Sequence, residues 1–201
     1  VLLASPLGCD SGPDERLHRA ARQGDDRTVA RLLKEGADIE ALDEGGWTPL
    51  LWAAARGNVA TVSALLDAGA SIRAVTRKER QPALTLAARW NRAEVVQTLL
   101  SRGAAREQRD SIGWTALMWS SLKGRTDIAA VLLEGGANPE ATDGDGNTPL
   151  ILAARQGRAE AIQVLLEHGA RVRARTREGG TPESLAREAG YPELADLLKP
   201  R

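Results

Sequence analysis

Phenylalanine is absent from this 201-residue chain, and its aromatic residues are one tyrosine and five tryptophans. Large aromatic side chains therefore supply little of the core, and alanine and leucine must carry most of the packing. The 27 basic residues balance the 27 acidic ones, so the net charge is zero and no overall field attracts nucleic acid or an anionic membrane. No apolar run approaches the roughly 18 residues that a transmembrane helix needs. We therefore expect neither a nucleic-acid-binding protein nor a membrane-spanning helix.

Residues that could bind a metal or carry catalysis are few and scattered. A single cysteine, Cys9, cannot form an internal disulfide. His18, His168 and Cys9 lack the spacing of zinc ligands, and neither histidine has a nucleophile or an orienting acid at a recognisable distance along the chain. Residues 143–147 resemble the start of a calcium loop, but Thr148 stands where that loop requires glycine. We expect no metal, no cofactor and no catalytic site.

The chain does contain a repeat of 33 or 34 residues. Within one unit, Thr48 suits a helix N-cap, Pro49 suits the first helical position, and Gly57 suits the left-handed residue that ends a helix. A second helix is predicted from Val59 until Gly69. A fixed period of this length is typical of small units stacked on one another. Successive units close on Gly-Ala pairs at Gly36-Ala37, Gly69-Ala70, Gly103-Ala104, Gly136-Ala137 and Gly169-Ala170.

These units resemble ankyrin repeats, because the helix openings match that family's Thr-Pro-Leu-His signature. The matching segments are Thr48-Pro49-Leu50, Thr115-Ala116-Leu117, Thr148-Pro149-Leu150 and Thr181-Pro182. The resemblance covers roughly residues 14–200. It implies an all-α solenoid of helix-turn-helix units with β-hairpin fingers, in which the end units act as caps. After a leader over residues 1–13, the units are expected near residues 14–42, 43–75, 76–109, 110–142, 143–175 and 176–201.

The third unit departs from the pattern. Pro82 stands where the other units have the threonine cap, and Asn91 replaces the glycine that ends the first helix. Asparagine also tolerates left-handed geometry, so the helix can still end there. We place the extra residue of this unit in its finger, since insertions are usually absorbed in such loops.

The shared interior is predicted from the paired leucines of the second helices. We expect Trp52 and Trp119, one turn inside the first helix and beside leucine and alanine, to join this core. The leucines are Leu65, Leu66, Leu99, Leu100, Leu132, Leu133, Leu165 and Leu166.

The resemblance also implies a concave groove that binds another protein. Its basic residues and indoles would suit an acidic segment of a partner, because tryptophan and arginine dominate binding hot spots. The alternative is a solvated basic face beside the negative helix ends, with tryptophans that only pack on the next finger. The groove candidates are Trp47 and Trp114 at the finger ends, Arg56, Arg89, Trp90, Lys123 and Arg155 near the ends of the first helices, and Arg77, Lys78 and Arg80 in the third finger.

The last finger carries alternating arginines at positions 171, 173, 175 and 177. An extended strand would project all four to one side. They could pair with Glu140, Asp143 and Asp145 of the preceding finger, or form a cationic lobe. The sequence leaves both readings open.

The first residues suggest a bacterial lipoprotein. Leu7-Gly8-Cys9 resembles a processing site at which small residues precede a lipidated cysteine, although Pro6 departs from that pattern. We therefore expect a lipid anchor at Cys9 and a location in the bacterial envelope or periplasm. The alternative is a cytoplasmic protein with an incidental cysteine.

From the sequence we predict a monomeric, non-catalytic protein-interaction module. The competing function is an envelope-tethered structural or auxiliary protein that stabilises a partner enzyme. A further alternative is a secreted effector that acts inside another cell.

Overall fold

A computed structural model describes residues 12–200, which form twelve helices. The helices are short because each begins and ends at a local signal in the repeat. Their bounds are α1 Pro13–Gln23, α2 Asp26–Lys34, α3 Pro49–Arg56, α4 Val59–Asp67, α5 Ala83–Arg89, α6 Ala93–Ser101, α7 Ala116–Lys123, α8 Thr126–Glu134, α9 Pro149–Arg155, α10 Ala159–Glu167, α11 Pro182–Glu188 and α12 Pro192–Leu197.

The helices pair and stack in two rows. Each odd-numbered helix packs against the next odd-numbered helix, and even-numbered helices from α2 to α10 pack in the same way. Each odd-numbered helix also packs against the even-numbered helix that follows it. Contacts therefore join neighbouring pairs rather than distant parts of the chain, and the predicted all-α solenoid is confirmed. We number the pairs as repeats 1 to 6.

Helix ends follow the predicted chemistry. The hydroxyl oxygens of Thr48, Thr115 and Thr148 accept hydrogen bonds from the backbone N–H three residues later. Helix α5 has no such side-chain cap at Pro82, but Asn91 takes a left-handed conformation with φ of 61° after its end. Both predictions for the third unit's first helix are confirmed.

The core runs along the array between the two rows. Leu65, Leu99, Leu132 and Leu165 are completely buried in one continuous cluster with the alanines of the first helices. Alanine lets the helices approach closely, which is how a chain without phenylalanine packs its interior. The other predicted leucines pack against this cluster, with Leu133 buried and Leu66, Leu100 and Leu166 partly exposed.

Side chains also tie several neighbouring repeats together. Asn58, Arg92 and Arg158 donate to carbonyls at the end of the preceding first helix, at 2.8, 3.1 and 3.2 Å. The carboxylates of Glu40 and Glu140 accept a backbone N–H of the following finger, at 2.6 and 2.9 Å. These regular ties favour a single relative arrangement of neighbouring repeats.

The fingers are tight turns rather than the expected β-hairpins. The backbone N–H of Asp43 donates to the Trp47 carbonyl four residues on, and the same closure recurs at Asp110 and Asp143. Such a short closure leaves little room for a ladder of strand hydrogen bonds, and the only β-bridge within residues 12–200 joins Val75 to Pro82.

The third finger is one residue longer than the others. Its closing hydrogen bond runs from the N–H of Thr76 to the carbonyl of Gln81, five residues on, and Arg80 has a φ of 53°. This confirms that the extra residue lies in the finger.

The last finger is not the extended strand that its alternating arginines suggested. Residues 172–173 and 177–178 form turns, so residues 171–177 are not one extended strand. Within residues 12–200 no carboxylate pairs with these arginine side chains. The link to the preceding finger uses the main chain instead, because the N–H groups of Arg171 and Arg177 donate to the Glu140 carboxylate and the Asp145 carbonyl.

Candidate protein-binding groove

Two stacks of arginine and tryptophan lie where the fingers meet the first helices. In the first, the Trp47 and Trp52 rings are 4.4 Å apart and nearly parallel, and the Arg22 guanidinium lies 4.0 Å from the Trp52 ring centre. In the second, the Trp114 and Trp119 ring centres are 4.8 Å apart with their planes tilted by 60°, and Arg89 lies 4.4 Å from the Trp119 ring centre. We call the surface that carries both stacks the inner face.

An aspartate orients each stack. One carboxylate oxygen of Asp43 accepts the Trp47 backbone N–H at 2.9 Å, and the other accepts the Trp52 indole N–H at 2.7 Å. Asp110 repeats both bonds with Trp114 and Trp119, at 2.9 and 2.8 Å. The indoles are therefore held in fixed positions by the turns of the fingers.

The carboxylates of two fingers have lowered pKa values. Partial burial opposes ionisation of Asp43, but hydrogen bonds from the Trp47 backbone and the Trp52 indole outweigh it and lower the pKa. Burial likewise opposes ionisation of Asp143, and bonds from Asn147, Asp145 and the Trp114 indole lower its pKa. These carboxylates are ionised at neutral pH and already have donors.

The prediction that Trp52 and Trp119 belong to the core was wrong. Both are only half-buried and lie outside the core clusters, because their indole N–H groups turn toward the finger aspartates. A sequence signal for this exists. An aspartate, a tryptophan four residues later and another five residues after that occur in both finger-helix segments, residues 43–52 and 110–119.

The predicted finger tryptophans are not free anchors. Trp47 and Trp114 are half-buried and pack against the core clusters, and the Trp114 indole donates to Asp143 of the next finger at 2.9 Å. Their packing role is thus established by the structure, while a contact with a partner stays a prediction. Trp90, by contrast, is 52% exposed.

The predicted basic residues share one property. Within residues 12–200 none of them has a carboxylate within 4.0 Å, although the chain as a whole is neutral. Most are exposed, and Arg89 and Arg155 are half-buried. The set comprises Arg56, Arg77, Lys78, Arg80, Arg89, Lys123 and Arg155.

Other kinds of site have little support. In the described part of the chain, no three histidine, cysteine, aspartate or glutamate side chains are grouped so that they could hold a metal ion. The calcium-like segment is a finger turn whose Asp143 carboxylate accepts from Asn147, Asp145 and Trp114. Over residues 12–200, every helix is too short or too polar to cross a membrane. The predicted lipidation site, Cys9, lies outside the described residues.

The fold and this face define a helical repeat protein, and family comparisons identify which kind. A family model described as ankyrin repeats in three copies matches residues 17–110 and 78–143, and one for many copies matches residues 121–186. The chain belongs to the ankyrin repeat family. Ankyrin repeats generally mediate protein–protein interaction and are typically non-catalytic. No curated protein matched the chain.

Proposed function

We propose that this protein is a non-catalytic interaction module that binds a partner protein on its inner face. The observation that carries the proposal is that Arg56 and Arg89 lie beside the two stacks, at 5.8 Å from the Trp52 ring centre and 4.4 Å from that of Trp119, without a carboxylate within 4.0 Å in residues 12–200, and that the exposed Trp90 lies next to Arg89. Arginine and tryptophan are the residue types that dominate binding hot spots. The family's general role supports the same conclusion.

The mechanism rests on preorganisation. Side-chain hydrogen bonds tie repeat 2 to repeat 3 and repeat 4 to repeat 5, and the finger aspartates hold the indole rings in place. A partner that docks on such a face immobilises few protein side chains, so less conformational entropy is lost on binding. We propose that the module acts as a monomer and that its partner contributes an acidic segment.

Site-specific photo-crosslinking followed by titration tests this proposal. A photo-reactive residue at position 90 or 123 should crosslink one and the same protein, and one at position 197 should not. Leu197 is a suitable control because it is 70% exposed and lies at the end of α12. With the purified partner, Trp90→Ala combined with Lys123→Ala should weaken binding by at least about 100-fold, as expected for loss of two hot-spot residues. The melting temperature should be unchanged, and binding that survives both substitutions would exclude the inner face.

We also propose an envelope-tethered form in which Cys9 carries a lipid. The supporting observation is the segment Leu7-Gly8-Cys9. In that setting the module would hold a partner enzyme at the membrane surface. Mass spectrometry of the mature full-length protein should find an acylated amino-terminal cysteine, and an unmodified Cys9 inside an uncleaved chain would reject the tether.

A further inference from the structure

The irregular features of this array are concentrated in repeat 3. Within residues 12–200, the only residues other than glycine with positive φ are Arg80 and Asn91, at 53° and 61°. They flank the same helix, α5. At the position of Arg80 the other fingers have a left-handed glycine, namely Gly46, Gly113, Gly146 and Gly179.

Asparagine tolerates the left-handed backbone conformation, but an arginine there is strained, and such strain persists mainly at functional positions. Glycine would relieve it at Arg80, as it does in the other four fingers. The finger nevertheless presents Arg77, Lys78 and Arg80, all exposed and without a carboxylate partner in the part of the chain that the structure describes. This favours a role for the Arg80 side chain that the scaffold does not require.

Arg89 is the second unusual feature of this repeat. Its half-buried guanidinium lies 4.4 Å from the Trp119 ring centre and 5.9 Å from that of Trp90. Among residues 12–200 its only hydrogen bond is to the Gln81 side-chain oxygen, at 3.3 Å. Most of its donors are therefore left without a protein acceptor, on a fixed aromatic surface.

The other stack in the same chain shows which group completes such an arrangement. Arg22 lies on Trp52 as Arg89 lies on Trp119, and Arg22 has the Asp43 carboxylate 3.8 Å away. The equivalent aspartate of the second stack, Asp110, is not within 4.0 Å of Arg89. Arg89 thus lies over an indole ring, as Arg22 does, but has no aspartate in the position that Asp43 takes beside Arg22.

Apolar surface flanks these cations. Trp90 is 52% exposed next to Arg89. At the finger end, the Glu79 carbonyl accepts the Ser111 N–H at 2.8 Å, and the adjacent Ile112 is 55% exposed. A ligand along repeat 3 would therefore meet cations and apolar groups together.

We propose that repeat 3 is the recognition centre of the inner face and that Arg89 binds a carboxylate of an acidic segment in the partner protein. The planar guanidinium offers parallel N–H donors that match the two oxygens of a carboxylate. Trp90 contacts a neighbouring apolar side chain of the segment, and Arg77, Lys78 and Arg80 attract further acidic residues. The inference rests on the proposed function and names its partner chemistry.

We expect the ligand of Arg89 to be a protein carboxylate rather than a nucleic-acid phosphate. A neutral chain with a short cationic strip lacks the extended basic footprint that follows a phosphate backbone. The internal pairing of Arg22 with Asp43 also shows a carboxylate in this setting.

Selection from a random peptide library displayed on phage, with the whole chain as bait, tests the inference. Selected peptides should carry aspartate or glutamate next to a large apolar residue. For a synthetic peptide of the selected sequence, Arg89→Gln should weaken binding about 10- to 100-fold, as expected for loss of a charge-assisted hydrogen-bond pair. Arg89→Lys should lose most of that affinity too, because it keeps the charge without the planar fork.

Two matched variants act as controls. Arg22→Gln removes a stacked guanidinium that already has a carboxylate, so peptide affinity should change less than about threefold. Arg80→Gly and Asn91→Gly each place glycine at a residue whose backbone is left-handed, one at each end of α5. Both variants should melt at the wild-type temperature or higher. Only Arg80→Gly should weaken peptide binding.

The outcomes separate this inference from the proposed function. Selected peptides without acidic residues, or equal binding by wild type and both Arg89 variants, would overturn the inference. If the partner still depends on Trp90 and Lys123 but not on Arg89 or Arg80, the inner face stands and the role of Arg89 does not. If an oligothymidylate binds more tightly than the acidic peptide, and Arg89→Gln weakens that binding, the ligand of Arg89 is a nucleic acid and not a protein carboxylate.

Discussion

Replacing Gly46 by alanine is expected to destabilise the array by about 2–5 kcal/mol, the combined cost of left-handed strain and overpacking. Gly46 has a φ of 75°, and a methyl group there would overlap the Cβ atom of Arg77 in the next finger. The backbone of Arg77 cannot withdraw easily, because its N–H donates to the Gly46 carbonyl at 3.0 Å. Urea denaturation followed by circular dichroism measures the change.

Gly69→Ala is the matched control. Gly69 is also left-handed, with a φ of 95°, but an added methyl group would meet nothing within 4 Å. It should therefore show only the strain, about 1–2 kcal/mol. Equal destabilisation by both variants would mean that the contact between fingers 2 and 3 is not tight.

Replacing Asp43 by alanine is expected to lower the free energy of unfolding by about 1.5–3 kcal/mol, the usual range for hydrogen bonds to a charged group. The variant loses the acceptors of the Trp47 backbone N–H and the Trp52 indole N–H, as well as the partner of Arg22. The fluorescence of Trp52 should shift to longer wavelength as the ring is released to water. Glu44→Ala, at an exposed neighbour without such bonds, should leave stability and emission unchanged.

The contribution of Asp43 should also depend on pH. The pKa of Asp43 in the folded protein lies below its ordinary value of 3.8, so the stabilisation is fully present above pH 3.8. It is lost as the pH falls through the folded-state pKa, where the carboxylate becomes protonated. The difference in stability between wild type and Asp43→Ala should therefore be constant near neutrality and shrink below that pH. A constant difference down to strongly acidic pH would contradict the role of the ionised carboxylate.

The parts of the fold that were predictable from the sequence are those determined within a few residues. Thr48 and Asn91 fix helix ends through their own side-chain or backbone preferences, and the extra residue near Arg80 was placed in the finger because such loops usually absorb insertions. The direction of the Trp52 and Trp119 rings was not predictable from their helical neighbours. It depends on an aspartate nine residues earlier, which the finger turn brings against the indole.

The alternating arginines of the last finger show a local sequence pattern that did not predict the structure. Alternation predicts one-sided projection only where a strand is held extended by a partner strand. In the last finger the main-chain N–H groups of Arg171 and Arg177 are used by the preceding finger, and turns replace the strand. The pairing state of Arg89 was equally hidden, since Asp110 stands at the position of Asp43 and makes the same two tryptophan hydrogen bonds, yet does not come within 4.0 Å of Arg89.

The two stacks have a consequence for how this protein can change over evolution or in the laboratory. In repeats 2 and 4 the residues that shape the inner face, such as Trp52 and Trp119, also hydrogen-bond to a finger. Substitutions that change binding specificity there therefore also lower the stability of the array. In repeat 3 the side chains of Arg80 and Trp90 make no hydrogen bond to any other part of residues 12–200. New specificities can therefore be explored at that repeat with little penalty, which makes it the natural place to diversify or to engineer this array.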